Sequence, residues 1–122
     1  MSLLSNSAIE FRRAYRIPND LSRRNLQKNL IVEDFKEFLQ ADLEMQLMHP
    51  DDRANCLKEL ADLVYVCAQY AENMDWDLEQ ALRRVHKSNM SKLGEDGKPV
   101  YREDGKVLKG PNYQPPDLSD LV

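Results

Sequence analysis

All four glycines of this chain, Gly94, Gly97, Gly105 and Gly110, lie after Leu93, and so do four of its six prolines. Ahead of that point the only strong backbone breaks are Pro18 and Pro50. A glycine-free stretch with leucine-rich spacing near 3.6, and no convincing alternating run, predicts helices. The first helix is expected from about Ser7 to Arg16, stopped before Pro18. The second runs from near Asp20 to about Met48, and the third follows Pro50, with Asp51 or Asp52 as N-cap, to about Met74. The fourth starts after Asp77, whose spacing to Gln80 resembles a capping box, and ends at Gly94.

Beyond Gly94 the pattern changes. Two short runs, 98–102 and 106–109, flank Asp104-Gly105, a hairpin signal, and the proline-containing end after Gly110 is extended. The expected fold is therefore all-α: a four-helix bundle (body about 7–93) with a short C-terminal β-hairpin and extended arm (about 94–122). At 122 residues, 1–122 reads as a single domain.

The charge is divided along the same boundary. The net charge is −4, yet residues 83–110 hold eight bases against four acids, which leaves the rest of the chain strongly acidic. Such a balance argues against a nucleic-acid partner, whose affinity comes from excess Lys and Arg on phosphates. No stretch approaches the roughly 18 apolar residues of a membrane span, and the N-terminus does not read as a signal peptide. Cys56 and Cys67 are too few and too far apart for a disulfide framework, so a cytoplasmic location is expected.

The placement of the acids is the unusual feature. With Leu30 as zero on a helical wheel, Leu26, Leu30, Ile31, Phe38, Ala41 and Met45 occupy one arc from about −40° to about +100°. Asp34 and Glu37 fall inside that arc, at about +40° and −20°, with Glu33 at its edge. In the third helix Asp62 is the only charge between Leu60 and Ala71, and Glu59 shares a face with Leu63, Val66 and Tyr70. A helix so nearly apolar all round is expected at the buried centre of a bundle.

Two acid pairs at i, i+3, Asp34/Glu37 and Glu59/Asp62, would converge if their helices pack antiparallel. Oxygen-only ligands in a dry pocket suit a hard cation, Mg²⁺ with Mn²⁺ as the alternative, whose shell substrate phosphates complete. The competing reading is a solvated polar stripe, with Asp62 grouped with Asn55, Gln69 and Asn73.

The segments 32–38 (Val-Glu-Asp-Phe-Lys-Glu-Phe) and 58–64 (Lys-Glu-Leu-Ala-Asp-Leu-Val) resemble the ExxE…ExxD signature of all-α nucleoside triphosphate pyrophosphohydrolases. This superfamily contains MazG, dimeric dUTPases and phosphoribosyl-ATP pyrophosphohydrolase. The tail, with Ser88-Asn89-Met90-Ser91-Lys92 and 106–113, is similar to its MazG-like, phosphoribosyl-ATP-pyrophosphohydrolase-like branch.

The resemblance implies a MazG-like bundle that forms a homodimer or homotetramer, binds Mg²⁺, and cleaves a nucleoside triphosphate substrate between its α and β phosphates. It implies Asp34, Glu37, Glu59 and Asp62 as metal ligands and Glu33 as a further ligand or the base that orients water. Asp34 stands where the family usually has Glu; the shorter side chain binds through water or leaves Glu33 as the ligand. Asn89, Lys92, Arg102 and Lys109 are the expected phosphate contacts. Phosphoribosyl-ATP hydrolysis in histidine biosynthesis is the alternative to nucleotide-pool housecleaning. A non-catalytic helical nucleotide-sensing or interaction module is the alternative from another class.

Overall fold

The computed structural model describes residues 3–122. It is all-helical, with four α-helices: α1 (Leu3–Ala14), α2 (Arg24–Glu44), α3 (Pro50–Asn73) and α4 (Leu78–Met90). The chain divides into two compact units, residues 1–78 and 79–122.

In the first unit, α2 and α3 form the principal packed pair and α1 lies on α3. The five residues 45–49 that join α2 to α3 make the pair antiparallel. Without glycine to end them, α1 and α3 both use non-glycine residues in the left-handed region, Arg16 (φ 55°) and Asp75 (φ 60°). Each sits in a Schellman arrangement: Ile17 N–H donates to Arg12 O (2.8 Å), and Trp76 N–H donates to Ala71 O (2.9 Å). The first helix thus starts earlier than expected and stops at Ala14.

The expected second helix begins as a 3₁₀ turn, Leu21–Arg23, in which Asp20 Oδ1 accepts from Ser22 N–H at 2.9 Å. It ends at Glu44 rather than Met48, where Met45 turns to extended backbone. Pro50 occupies the start of α3, where its missing N–H costs nothing. His49 is the N-cap, and Asp51 and Asp52 lie inside the first turn, where their charge favours the helix N-terminus.

The core of the first unit is made of small residues, Ala8, Ala41, Cys56, Ala68 and Ala71, and no large side chain is fully enclosed among the described residues. Aromatic contacts extend it: Phe11 meets Tyr65 edge-on at 5.7 Å, and Tyr70 lies 5.9 Å from Trp76. The expectation that α3 is buried on all sides is not met by the single chain, since Leu57, Leu60, Val64 and Tyr65 stay exposed. Twelve residues of α1 flank α3 without closing over it, and an apolar groove of about 410 Å³ remains between them, lined by Leu4, Ala8, Leu57, Leu60 and Val64.

The second unit corrects the hairpin expectation. The Asp104-Gly105 turn forms, with Gly105 at φ 89° and Gly105 N–H donating to Arg102 O at 2.9 Å. Pairing beyond it reaches one isolated bridge, Tyr101 to Val107, and no strand occurs among the described residues. Pro99 removes one ladder donor, and two runs of four or five residues with no third strand bury too little to persist as a sheet. The tail, expected to be extended from Gly110, first makes a turn at 111–112, with Tyr113 N–H donating to Gly110 O at 3.2 Å. It then carries no regular element until a 3₁₀ turn at Ser119–Leu121.

Candidate active site

The α2–α3 pair brings Glu59 of α3 within electrostatic reach of Glu37 on α2, which also feels Asp34 and Glu33. The Glu37 carboxyl is held above the usual glutamate range, chiefly by a hydrogen bond with Asp34, then by burial and by the charges of Asp34, Glu59 and Glu33. Asp34 is half-buried, as its place in the apolar arc predicts, but Glu37, placed in the same arc, is exposed, as is Glu33. The dry pocket expected around the first acid pair is therefore not formed. The Asp34 charge also reaches Cys67, whose thiol is pushed up mainly by burial.

Glu59 is largely enclosed, with its side chain 15% exposed. Its Oε2 is buried with no hydrogen-bond partner. Its Oε1 lies 3.3 Å from the Lys58 ammonium, which also holds Asp62 Oδ2 at 2.8 Å. Those two carboxylates raise the Lys58 pKa, Asp62 the more strongly. Lys58 is the residue that reading the acids alone passes over; the i, i+4 spacing to Asp62 is the signal that finds it. Among the described residues, no three His, Cys, Asp or Glu side chains are gathered closely enough to hold a metal ion.

The polar-stripe reading separates along α3. Asn55 is exposed, but Gln69 and Asn73 are buried, at 5% and 3%. Both serve Arg12, a buried cation on α1. Its Nη1 donates to Gln69 Oε1 (3.3 Å) and its Nη2 to Asn73 Oδ1 (2.9 Å) and Pro18 O (2.9 Å). Its Nε donates to Asn19 Oδ1 at 2.7 Å. This hub ties α1 and the 18–20 loop to the last turns of α3.

The basic candidates lie in the second unit. Asn89 is exposed near the end of α4, and Lys92 follows it, half-buried. Arg102 is paired with Asp104, its Nε donating to Oδ1 at 2.8 Å. Lys109 stands 4.7 Å above the ring of Tyr113.

Residues 11–89 match the family model for phosphoribosyl-ATP pyrophosphohydrolase. The chain belongs to this family. The phosphoribosyl-ATP pyrophosphohydrolase family consists of pyrophosphohydrolases, hydrolases acting on phosphoric anhydrides, and the match spans both acid pairs. No curated protein matches the chain. No helix among the described residues of this family member is long and apolar enough to cross a membrane.

For a divalent cation, the donors of this phosphoribosyl-ATP pyrophosphohydrolase family member fit by chemistry. All are carboxylate oxygens, and the Glu59 Oε2 orphan lacks the partner that a buried anionic oxygen requires. The like charges of Asp34, Glu59 and Glu33 acting on Glu37 are what a cation relieves, although the acids are not gathered into a three-ligand group among the described residues.

Proposed function

We propose that the chain is a Mg²⁺-dependent nucleoside triphosphate pyrophosphohydrolase that cleaves (d)NTP to (d)NMP and pyrophosphate, in nucleotide-pool housecleaning. The observation that carries this reading is the buried, unpartnered Oε2 of Glu59, on a residue whose charge reaches Glu37 across the α2–α3 pair, inside the family-matched residues. Asp34, Glu37, Glu59 and Asp62 would hold the metal, with Mn²⁺ as the alternative ion. A bound Mg²⁺ would neutralise charge on the phosphate oxygens and lower the pKa of a coordinated water.

The chain's own residues supply the rest. Glu33, exposed beside the cluster, accepts a proton from the attacking water. A bond forms between that water oxygen and the α-phosphorus, the bond from the α-phosphorus to the bridging oxygen breaks, and pyrophosphate leaves with the electron pair. Lys58 restrains Glu59 and Asp62 in the absence of substrate. Asn89, Lys92, Arg102 and Lys109 are the proposed phosphate contacts; their support is charge and hydrogen-bonding capacity.

The matching family favours a second reading, phosphoribosyl-ATP hydrolysis, which uses the same bond cleavage on a different base and sugar. The test is pyrophosphate release from a panel of dNTPs, NTPs and phosphoribosyl-ATP with Mg²⁺, with and without chelator, for the wild type and Glu59→Gln. Release abolished by chelator and by the substitution, with helical content unchanged, is expected. Activity retained in Glu59→Gln would remove Glu59 from the ligand set. No turnover of any substrate would favour the non-catalytic module.

The proposed assembly is a homodimer or homotetramer. Its support is the outward face of α2, where Val32, Phe35, Leu39 and Leu43 form a stripe at helical spacing, from 44% exposed at Val32 to 78% at Leu43. A self-complementary second copy is the simplest cover for this stripe and for the exposed side of α3. The two free cysteines suit a reducing compartment, and the cytoplasm is the proposed location.

A further inference from the structure

The second unit contains a zipper. From Gly110 onward the tail runs back along α4 in reverse order. Gly110 N–H donates to Lys92 O (2.8 Å), and Gln114 N–H donates to Ser91 Oγ (2.9 Å). Ser88 Oγ donates to Gln114 O (2.7 Å), and Arg84 Nη1 donates to Asp117 O (3.0 Å). Positions 84, 88 and 91 share one face of the helix. The run ends with both oxygens of Asp120 on the two terminal nitrogens of the Arg84 guanidinium, Nη2 to Oδ2 at 3.0 Å.

That two-pronged geometry is the one a guanidinium offers to phosphate as readily as to carboxylate. Beside it lies a cavity of about 210 Å³, lined by Arg84, Lys87, Ser88, Ser91, Pro115 and Asp117. Lys87 is a second cation there, and it makes no ion pair among the described residues. The Asp120 side chain is 64% exposed, so the pair is open to exchange with a solution anion, and exposed pairs of this kind are weak.

We propose that Asp120 is a built-in stand-in for a phosphate-class anion: the Arg84–Lys87 face of α4 is an anion site that the chain's own tail keeps closed. A polyanion of higher charge density, such as inorganic pyrophosphate, displaces the acidic turn at 117–120 and takes the guanidinium and Lys87. The site is built entirely from the second unit and uses none of the acids of α2 and α3.

The test is calorimetric titration of the full chain with inorganic pyrophosphate in excess chelator, so that binding through a metal contributes nothing. Asp120→Asn should bind several-fold more tightly than the wild type, because the competing carboxylate is gone. Adding Arg84→Gln or Lys87→Gln to Asp120→Asn should each reduce that gain, with helical content checked by circular dichroism. Saturating pyrophosphate should also speed amide exchange of wild-type residues 117–121. Equal affinity of Asp120→Asn and wild type, or a gain untouched by both second substitutions, overturns the proposal. The readout is binding without turnover, so loss of the proposed hydrolase activity would leave it standing.

Discussion

The ammonium of Lys58 lies 2.8 Å from Oδ2 of Asp62, one turn further along α3, and so commits one of the candidate ligands to an internal cation. The same ammonium reaches Glu59, and the two contacts make Lys58 a competitor for any metal at these acids. Lys58→Met should therefore lower the Mg²⁺ concentration for half-maximal pyrophosphate release several-fold, read from a Mg²⁺ titration at fixed nucleotide. A higher requirement would show that Lys58 assists the site.

Arg12 presents a different case of a cation among polar partners. Removing its guanidinium leaves Gln69 Oε1 buried with its acceptor unmet, while Asn73 Oδ1 keeps the Asp20 N–H at 3.1 Å. Arg12→Met is expected to cost about 1–3 kcal/mol in urea denaturation, the scale of one orphaned buried group. A loss below about 1 kcal/mol would mean that the pocket rearranges or admits water.

The turn before α2 predicts an acid-sensitive contribution to stability. The Asp20 carboxyl is held below the ordinary aspartate range by the Ser22 backbone N–H, then by the Ser22 side chain. A lowered folded pKa stabilises above the unfolded value, near about 4, and that stabilisation is lost as pH falls through the folded one. The stability gap between wild type and Asp20→Ala should therefore be full at neutral pH and close below that range. Urea midpoints across a pH series measure it, and a gap independent of pH would place the contribution elsewhere.

Self-association should depend on the outer face of α2. Leu39→Glu puts a carboxylate in the middle of the Val32–Phe35–Leu39–Leu43 stripe, and sedimentation should find it monomeric where the wild type is a dimer or tetramer. A wild type that is monomeric at micromolar concentration would refute the assembly.

Gly110 allows a further stability test. A Cβ there would meet Leu93 O at 2.5 Å and Lys92 O at 2.6 Å, both backbone atoms that cannot step aside. Gly110→Ala should break the Gly110–Lys92 hydrogen bond and speed amide exchange of residues 110–121, while exchange within α2 and α3 stays unchanged.

The helices were legible because punctuation was sparse. Pro50 marked the start of α3, and the wheel placed Asp34 among apolar neighbours, where it is half-buried. The outer stripe escaped because the wheel was drawn around one apolar arc; Val32, Phe35, Leu39 and Leu43 lie opposite it, so α2 is apolar on two faces. The ends of α1 and α3 fall within two residues of the expected Arg16 and Met74, but the left-handed stops at Arg16 and Asp75 were not legible, since such a stop is ordinarily announced by glycine. The hairpin signal at Asp104-Gly105 specified a turn correctly but not the strands, which depend on partners outside the local pattern. Lys58 stood in plain view in the motif, and its role emerged from which carboxylates it faces.

The close approach of Gly110 to Lys92 makes the stretch between them a ring pinned at its base. Entropy is charged once for drawing such a ring shut, and doubling its length adds only about 0.6 kcal/mol. Residues around the Asp104-Gly105 turn can therefore be exchanged for a longer insert, such as a reporter peptide, while α4 and the tail keep their mutual register.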